Sequence, residues 1–312
     1  MIKKNVDVII PVYNAEKYIG KTIDSILNQT YQNFNIVIVD DASDDESMNI
    51  VHSYNDSRIQ VYKNDVNRGI AYSRNRAIDM CRNEYIAILD HDDIALPYRL
   101  KHEIEFLEEN KDVDIVGGHT RRIDKNGNDM NKQWSVYLNP NYIKAYLLLG
   151  NTIVNTSVMM RTKFINKHNI RYKENQFGAE DYRFWVECML AGAKISNLDE
   201  VLVYWRNGHN NVTQQMNENN YEERFRAISS IHTYALEKSG FLLEEDEYRL
   251  VNKIFFEEGC IDNDKEMEKL YDTLKKIADQ AIIMKKDNAK EIVTMCRKRF
   301  GEKVGKAFFL WE

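Results

Sequence analysis

Proline is nearly missing: Pro11, Pro97 and Pro140 are all that 312 residues contain. Long proline-rich linkers are thereby excluded. Cysteine is also scarce. Cys81, Cys188, Cys260 and Cys296 lie far apart in segments of helical pattern, with no CxxC pair and no Cys/His cluster. Zinc sites and a disulfide framework are therefore not expected, and free thiols in a reducing compartment are. No window approaches the roughly 20 apolar residues of a membrane-spanning helix. The opening Met1-Ile2-Lys3-Lys4-Asn5 runs straight into a strand-like segment, without the apolar stretch of a signal peptide. A cytoplasmic location is expected. Excess positive charge is absent too. The formal net charge is −6, so nothing global favours nucleic acid as a partner. Internal repeats and low-complexity tracts are not found.

What is present is an ordinary globular composition with 18 tyrosines, long enough for one large domain and a smaller one. Val6 to Pro11 reads as a strand, and Ile19, Ile23, Ile26 and Leu27 follow at helical spacing with Asn14 as the expected N-cap. Phe34 to Val39 is a second strand, followed by a helix expected to be capped by Ser43 or Asp44. Ile59 to Tyr62 is a third strand, Gly69 to Cys81 a helix, Tyr85 to Leu89 a fourth strand, and Pro97 opens another helix. This alternation predicts βαβ units and a mainly parallel sheet flanked by helices. Beyond residue 112 further strands are expected at Asp114 to Val116, Thr156 to Arg161 and Val201 to Trp205. An Asn126-Gly127 turn and a helix after Asn139-Pro140 lie between them. Gly178-Ala179-Glu180-Asp181 precedes a helix through Leu190. From about residue 216 the pattern is all-helical and highly charged.

The apolar run Tyr85 to Leu89 ends in Asp90-His91-Asp92-Asp93, three carboxylates within four residues. Crowded like charges repel, and desolvation adds to the cost. A hard divalent cation would relieve both; an acidic cap where a strand meets solvent is the plainer alternative. The first, second and fourth strands each end at a polar or acidic cluster: Tyr13-Asn14, Asp40-Asp41, and Asp90 to Asp93. In open α/β sheets ligands bind beyond the carboxyl ends of the strands, so these clusters are expected to meet along one edge.

Six segments in order carry a resemblance. Asp7 to Asn14, Ser25 to Tyr31, Val37 to Ser43, Asn67-Arg68-Gly69 with Ser73 to Ala77, Leu89 to Asp93, and Glu180-Asp181 together resemble the family 2 glycosyltransferases, which have the GT-A fold. The resemblance covers the chain to about residue 210. It implies a Rossmann-like α/β catalytic domain over residues 1–212, followed by a helical region over 213–312. It implies an inverting transfer from a nucleotide-sugar, usually a UDP-sugar, to a hydroxyl of a glycan acceptor. By the motif match Asp92 is the candidate metal ligand for Mn²⁺ or Mg²⁺, with Asp90 in the metal shell or on the donor ribose. Asp40 corresponds to the carboxylate that accepts from the uracil N–H. Pro11, Tyr13 and Asn14 line the uridine pocket, and Arg74 lies near the nucleotide. Asp181 corresponds to the general base, with Glu180 as the fallback, touching the acceptor. In Tyr204 to Thr213, His209 is expected on a phosphate or in the metal shell, and Arg206 against phosphate charge. Ser73 stands where family members often have Ala.

The residues leave other classes open. A nucleotidyltransferase or other phosphate-handling enzyme would place a Gly-rich, basic loop after the first strand. Pro11 to Glu16 provides none. A non-catalytic nucleotide-sugar-binding module need not keep Asp40, Asp92 and Asp181 together. The tail carries Lys285, Lys286, Lys290, Arg297, Lys298, Arg299, Lys303 and Lys306, then Phe308-Phe309-Leu310-Trp311. Two readings apply: a helix packed on the main body with its charges in water, and a peripheral contact with the inner face of an anionic membrane. With such a contact the acceptor would be a glycan on a lipid carrier, as in bacterial surface-polysaccharide assembly.

Overall fold

A computed structural model describes residues 4–176, 178–208, 220–254 and 263–304. Its centre is a mixed sheet of nine strands in the order β3-β2-β1-β4-β8-β6-β9-β5, with β7 paired to β6 off that path. The strands are β1 (Val6–Val12), β2 (Phe34–Asp40), β3 (Ile59–Lys63), β4 (Tyr85–Ile88), β5 (Ile94–Ala95), β6 (Ile115–Ile123), β7 (Asp129–Trp134), β8 (Met159–Arg161) and β9 (Ile195–Arg206). The helices are α1 (Ile19–Leu27), α2 (Ser47–Ser53), α3 (Ile70–Met80), α4 (Arg99–Glu109), α5 (Pro140–Tyr146), α6 (Thr162–Lys167), α7 (Glu180–Leu190), α8 (Tyr221–Lys238), α9 (Glu245–Ile254), α10 (Asp264–Ile283) and α11 (Ala289–Val304).

β1, β2, β3 and β4 run parallel, with Val6 level with both Phe34 and Tyr85. β1 is buried along its whole length, as strands covered on both faces are. The sheet turns mixed where β8 enters antiparallel between β4 and β6, with Met160 opposite Ile86 on one side and Ile115 on the other. Two reversals restore direction, and β6 runs parallel to β9. The carboxyl ends of β1, β2, β4, β6 and β9 therefore share one edge.

β6 and β9 meet more closely than side chains ordinarily allow. A Cβ on Gly118 would sit 2.6 Å from Leu202 Cδ1, and one on Gly117 2.7 Å from Asn197 Oδ1. The glycine pair admits the irregular register between Gly118 and Thr120. Two caps differ from expectation. Asn14 is not the N-cap of α1, which begins at Ile19 after Tyr18. Asn14 instead adopts φ +48°, a conformation Asn tolerates, and its amide oxygen accepts from Asp44 N–H at 3.0 Å. Neither Ser43 nor Asp44 caps α2, which begins at Ser47. Asp45 accepts from Ser47 N–H at 2.9 Å there. The helix read as opening at Asn139-Pro140 is α5, and Asn139 caps it, accepting from Asn141 N–H at 2.8 Å. Of the strand expected over Thr156 to Arg161, only β8 forms, after a 3-10 turn over Asn155–Ser157.

The C-terminal helices are built into the main body. Ile231, Leu236, Leu274, Ile292, Met295 and Cys296 join one apolar cluster with Tyr146 of α5 and Phe184, Trp185 and Cys188 of α7. Lys298 Nζ donates to Tyr137 Oη at 2.8 Å, and the Arg299 guanidinium lies 5.1 Å from the Tyr146 ring centre. The described part of the basic tail thus packs through its stems and apolar side. Phe308 to Trp311 lie outside the described residues. Cys81, Cys188 and Cys296 are buried free thiols.

One buried clasp sits beneath the acidic edge. Arg99 and Glu103 of α4, both fully buried, pair at 3.2 Å. Arg99 Nη2 also donates to the carbonyls of Ile88 at 2.8 Å and Val158 at 3.3 Å, joining the end of β4 to the segment before β8. Burial outweighs the attraction of Arg99 and pushes Glu103 up to about 7. A raised acid favours folding at low pH, and that contribution is lost as pH climbs from about 4.5 through about 7. Arg99→Met strands Glu103 without its partner and is expected to cost about 3–5 kcal/mol, read as a lower urea midpoint at unchanged slope.

Candidate active site

The three clusters meet where the sheet order predicts, at the adjacent ends of β2, β1 and β4. Asp40 closes β2 and is fully buried. Its Oδ1 accepts from Ser43 N–H at 2.9 Å across a turn in which Ala42 has φ +60°. Its Oδ2 has no hydrogen-bond donor and lies 3.8 Å from Lys63 Nζ. Asp41 differs. It accepts from Asn64 Nδ2 at 2.7 Å, Arg68 N–H at 2.9 Å and Gly69 N–H at 2.8 Å, so both oxygens tie down the entry to α3. Tyr13 is 44% exposed beside it. Pro11 is buried in β1 opposite Val39, and its carbonyl faces His91 Nδ1 at 3.2 Å.

Arg74 of α3 binds two carboxylates at once. Nη2 donates to Asp90 Oδ1 and Nη1 to Glu180 Oε1, each at 2.8 Å. The guanidinium also lies 5.3 Å from the centre of the Tyr172 ring. Burial acts against its charge, but Asp90, Tyr172 and Glu180 more than offset it and hold the pKa above its usual value. Glu180 and Asp181 form the first turn of α7. Asp181 accepts from Asn151 Nδ2 at 3.1 Å and from Tyr182 N–H at 2.6 Å. A helix N-terminus by itself favours the ionised form of such an acid. Instead burial, with Glu180 adding to it, pushes Asp181 up to about 6 against the opposing effects of Arg74, the Tyr182 N–H and Arg224.

Arg224 of α8 faces the same two acids. Burial lowers its pKa, and the charges of Asp181 and Glu180 oppose that shift. Neither Arg224 nor Asn151 stood out in the sequence. One lies in a uniformly charged helix and the other in a loop with no periodic signal, so only the tertiary fold brings them to Asp181.

Asp93 is buried and accepts from Arg206 N–H at 2.9 Å. Burial first, then the charges of Asp92 and Asp90, raise its pKa well above the usual carboxylate range. Arg206 was expected to face phosphate, and the structure corrects this. Its side chain is 1% exposed. Nε donates to the Asp92 carbonyl at 2.8 Å and Nη1 to the Asp124 carbonyl at 3.1 Å, with the Tyr18 ring centre 4.7 Å away. Arg206 is a brace for the acidic loop. Thr22 Oγ1 completes the support, donating to the carbonyls of His91 and Asp93. The Asp92 side chain is half-buried. His209 lies outside the described residues.

The profile of the family described as "Glycosyl transferase family 2" matches residues 7–168, from β1 through the acidic loop to the end of α6. This chain belongs to that family. An uncharacterized glycosyltransferase of Methanocaldococcus jannaschii is 36% identical over 210 residues, 66% of this chain and 72% of the relative. The UDP-Glc:alpha-D-GlcNAc-diphosphoundecaprenol beta-1,3-glucosyltransferase WfaP of Escherichia coli is 31% identical over 206 residues, 64% of this chain and 76% of the relative. The crystal structure of S. aureus TarS 1-349 in complex with UDP-GlcNAc superposes with a TM-score of 0.63 at 20% identity, covering 97% of this chain and 92% of that one. Of a longer TarS chain, the present chain spans 53%. The protein is a glycosyltransferase with the GT-A fold and a helical C-terminal region.

In this glycosyltransferase the acidic loop depends on Asp93 as a neutral-tolerant acceptor beneath Arg206. Asp93→Asn keeps an acceptor oxygen and is expected to stay within about 1 kcal/mol of wild-type stability. Asp93→Ala leaves the buried Arg206 N–H unmatched and should lose about 1–3 kcal/mol in denaturant unfolding.

Proposed function

We propose that this glycosyltransferase moves a sugar from a UDP-sugar to a hydroxyl of a glycan on a lipid carrier, with inversion, in bacterial surface-polysaccharide assembly. The observation that carries this reading is the meeting of Asp40, Asp90, Asp92 and the Glu180-Asp181 pair at one sheet edge. The free Oδ2 of Asp40 suits an N–H donor such as that of uracil. Tyr13 offers an exposed ring for stacking, and Pro11 and Asn14 shape the wall behind it. The names of WfaP and of the TarS complex support a UDP-sugar donor, and that of WfaP supports a diphosphate-lipid acceptor.

A divalent cation fits the acidic loop. The donors are hard carboxylate oxygens, and Asp90, Asp92 and Asp93 crowd three carboxylates onto one short loop, the first two raising the pKa of the third. Among the described residues no three metal-ligating side chains converge. Asp92, with Asp90, would hold Mn²⁺ or Mg²⁺ there. His209 is the further protein ligand proposed. When bound, the cation stabilises charge on the departing diphosphate.

The remaining chemistry is the protein's own. Arg74 fixes Asp90 on the donor side and Glu180 on the acceptor side. Asp181 receives the proton of the attacking hydroxyl, and one carboxylate suffices for inversion because no covalent intermediate forms. Glu180 borders the acceptor. Residues 1–212 would form the catalytic unit and 213–312 the helical one. Among the described residues no helix is long and apolar enough to cross a membrane. A peripheral contact at the cytoplasmic face, with the basic C-terminal helix as the candidate, would bring the site to a lipid carrier.

UDP-GlcNAc and UDP-Glc are expected to raise the melting temperature in a dose-dependent way, more with Mn²⁺ than without. Asp40→Ala should abolish the shift, and Asp92→Ala should abolish only its metal dependence. A wild-type protein indifferent to both donors would exclude this reading. Asp181→Asn is expected to retain the donor shift while kcat falls by about 10²–10⁴. A base must be deprotonated, so kcat/KM should rise with pH through a limb near 6. Glu180→Gln removes a neighbouring negative charge and should move that limb downward.

A further inference from the structure

Beyond the acidic edge, β6 and β9 carry a second feature. Arg122 is the register partner of Trp205, and Trp134 is the partner of Thr120. Side chains two apart on a strand share a face, so Trp134, Arg122 and Trp205 stand together. The Arg122 guanidinium lies 5.6 Å from the Trp134 ring centre and 5.2 Å from that of Trp205. Trp134 is 49% exposed, on a strand exposed from end to end. Among the described residues Arg122 makes no hydrogen bond and no ion pair. Its neighbour Arg121, on the opposite face, pairs with Asp129 at 2.7 Å and donates to Asn131 at 2.9 Å. Two indoles thus fix a guanidinium whose donors are uncommitted among the described residues.

This group adjoins the site. Trp205 immediately precedes Arg206, which braces the acidic loop through the Asp92 carbonyl. From the level at which Ile86, Met160 and Ile115 align, Arg122 lies three residues further along its strand than Asp90 lies along its own, an offset of roughly 10 Å along the strand direction. A short oligosaccharide spans that distance.

We propose that Trp134, Trp205 and Arg122 form a platform for a sugar ring of the acceptor glycan, outside the reacting centre. A pyranose presents an apolar C–H face and a rim of hydroxyls. The indole face matches the first, and the guanidinium fork, held in place by stacking, donates to the second. The assignment of the saccharide as acceptor rests on the transferase reading above; saccharide binding at the platform does not.

The test applies the full-length protein to an array of bacterial surface-polysaccharide oligosaccharides, with the UDP-GlcNAc melting shift measured in parallel. Wild type should bind a subset of glycans. Trp134→Ala and Arg122→Ala should each weaken that binding about tenfold at unchanged melting temperature and unchanged UDP-GlcNAc shift, while Trp134→Phe retains most of it. Wild type that binds no arrayed glycan, or variants that bind as well as wild type, would overturn the platform. Glycan binding that depends on Trp134 without any UDP-GlcNAc shift supports the platform and counts against UDP-GlcNAc as the donor.

Discussion

A single buried guanidinium holds the two sides of the catalytic edge together. Arg74 is 3% exposed, and its two ion pairs join Asp90 at the end of β4 to Glu180 at the start of α7. A charge so placed cannot lose a partner cheaply. Breaking a buried pair costs about 3–5 kcal/mol, because the remaining ion stays out of water. The geometry is therefore over-determined. Wherever Asp90 goes, Glu180 and its neighbour Asp181 follow, and the proposed donor and acceptor sides stay in register.

The surrounding charges divide into those that build the edge and those left available to it. Asp41, Asp93 and Arg206 are tied into the loop by backbone or side-chain partners. Asp40 keeps one oxygen without a donor, and Asp181 is held by Asn151 and the Tyr182 N–H while its proton affinity is raised. The tied members allow the available ones to exist. Without Arg206 beneath Asp92 and Thr22 beneath His91 and Asp93, three neighbouring acids would repel one another into solvent.

Much of this was legible in the sequence because it follows local periodicity. The alternation of strands and helices to residue 109 and the helix after Asn139-Pro140 appear as read. The placement of three clusters at one edge follows from strand order, which βαβ rules constrain. The misreadings share a different origin. Asn14, a good cap by residue type, bonds across to the β2–α2 loop. Arg206, a good phosphate ligand by charge, is drawn inward by carbonyls far away in the chain. Side chains whose partners are distant cannot be read from neighbours. The same reason hid Asn151, Arg224, and the stacking of Arg122 between two tryptophans.

The ion pair between Arg74 and Glu180 also orders events during synthesis, since 106 residues separate the two. At a ribosomal rate of about 5–20 residues per second, the arginine waits on the order of 5–20 s before its second carboxylate is made. Through that interval β1, β2 and β4 can pair, yet the cation at their edge has only Asp90 for a partner. The emerging N-terminal half must keep this corner open to water until α7 arrives. Pairing of the parallel strands β1, β2 and β4 and completion of the chemistry at their edge are thus separate steps in the life of the chain.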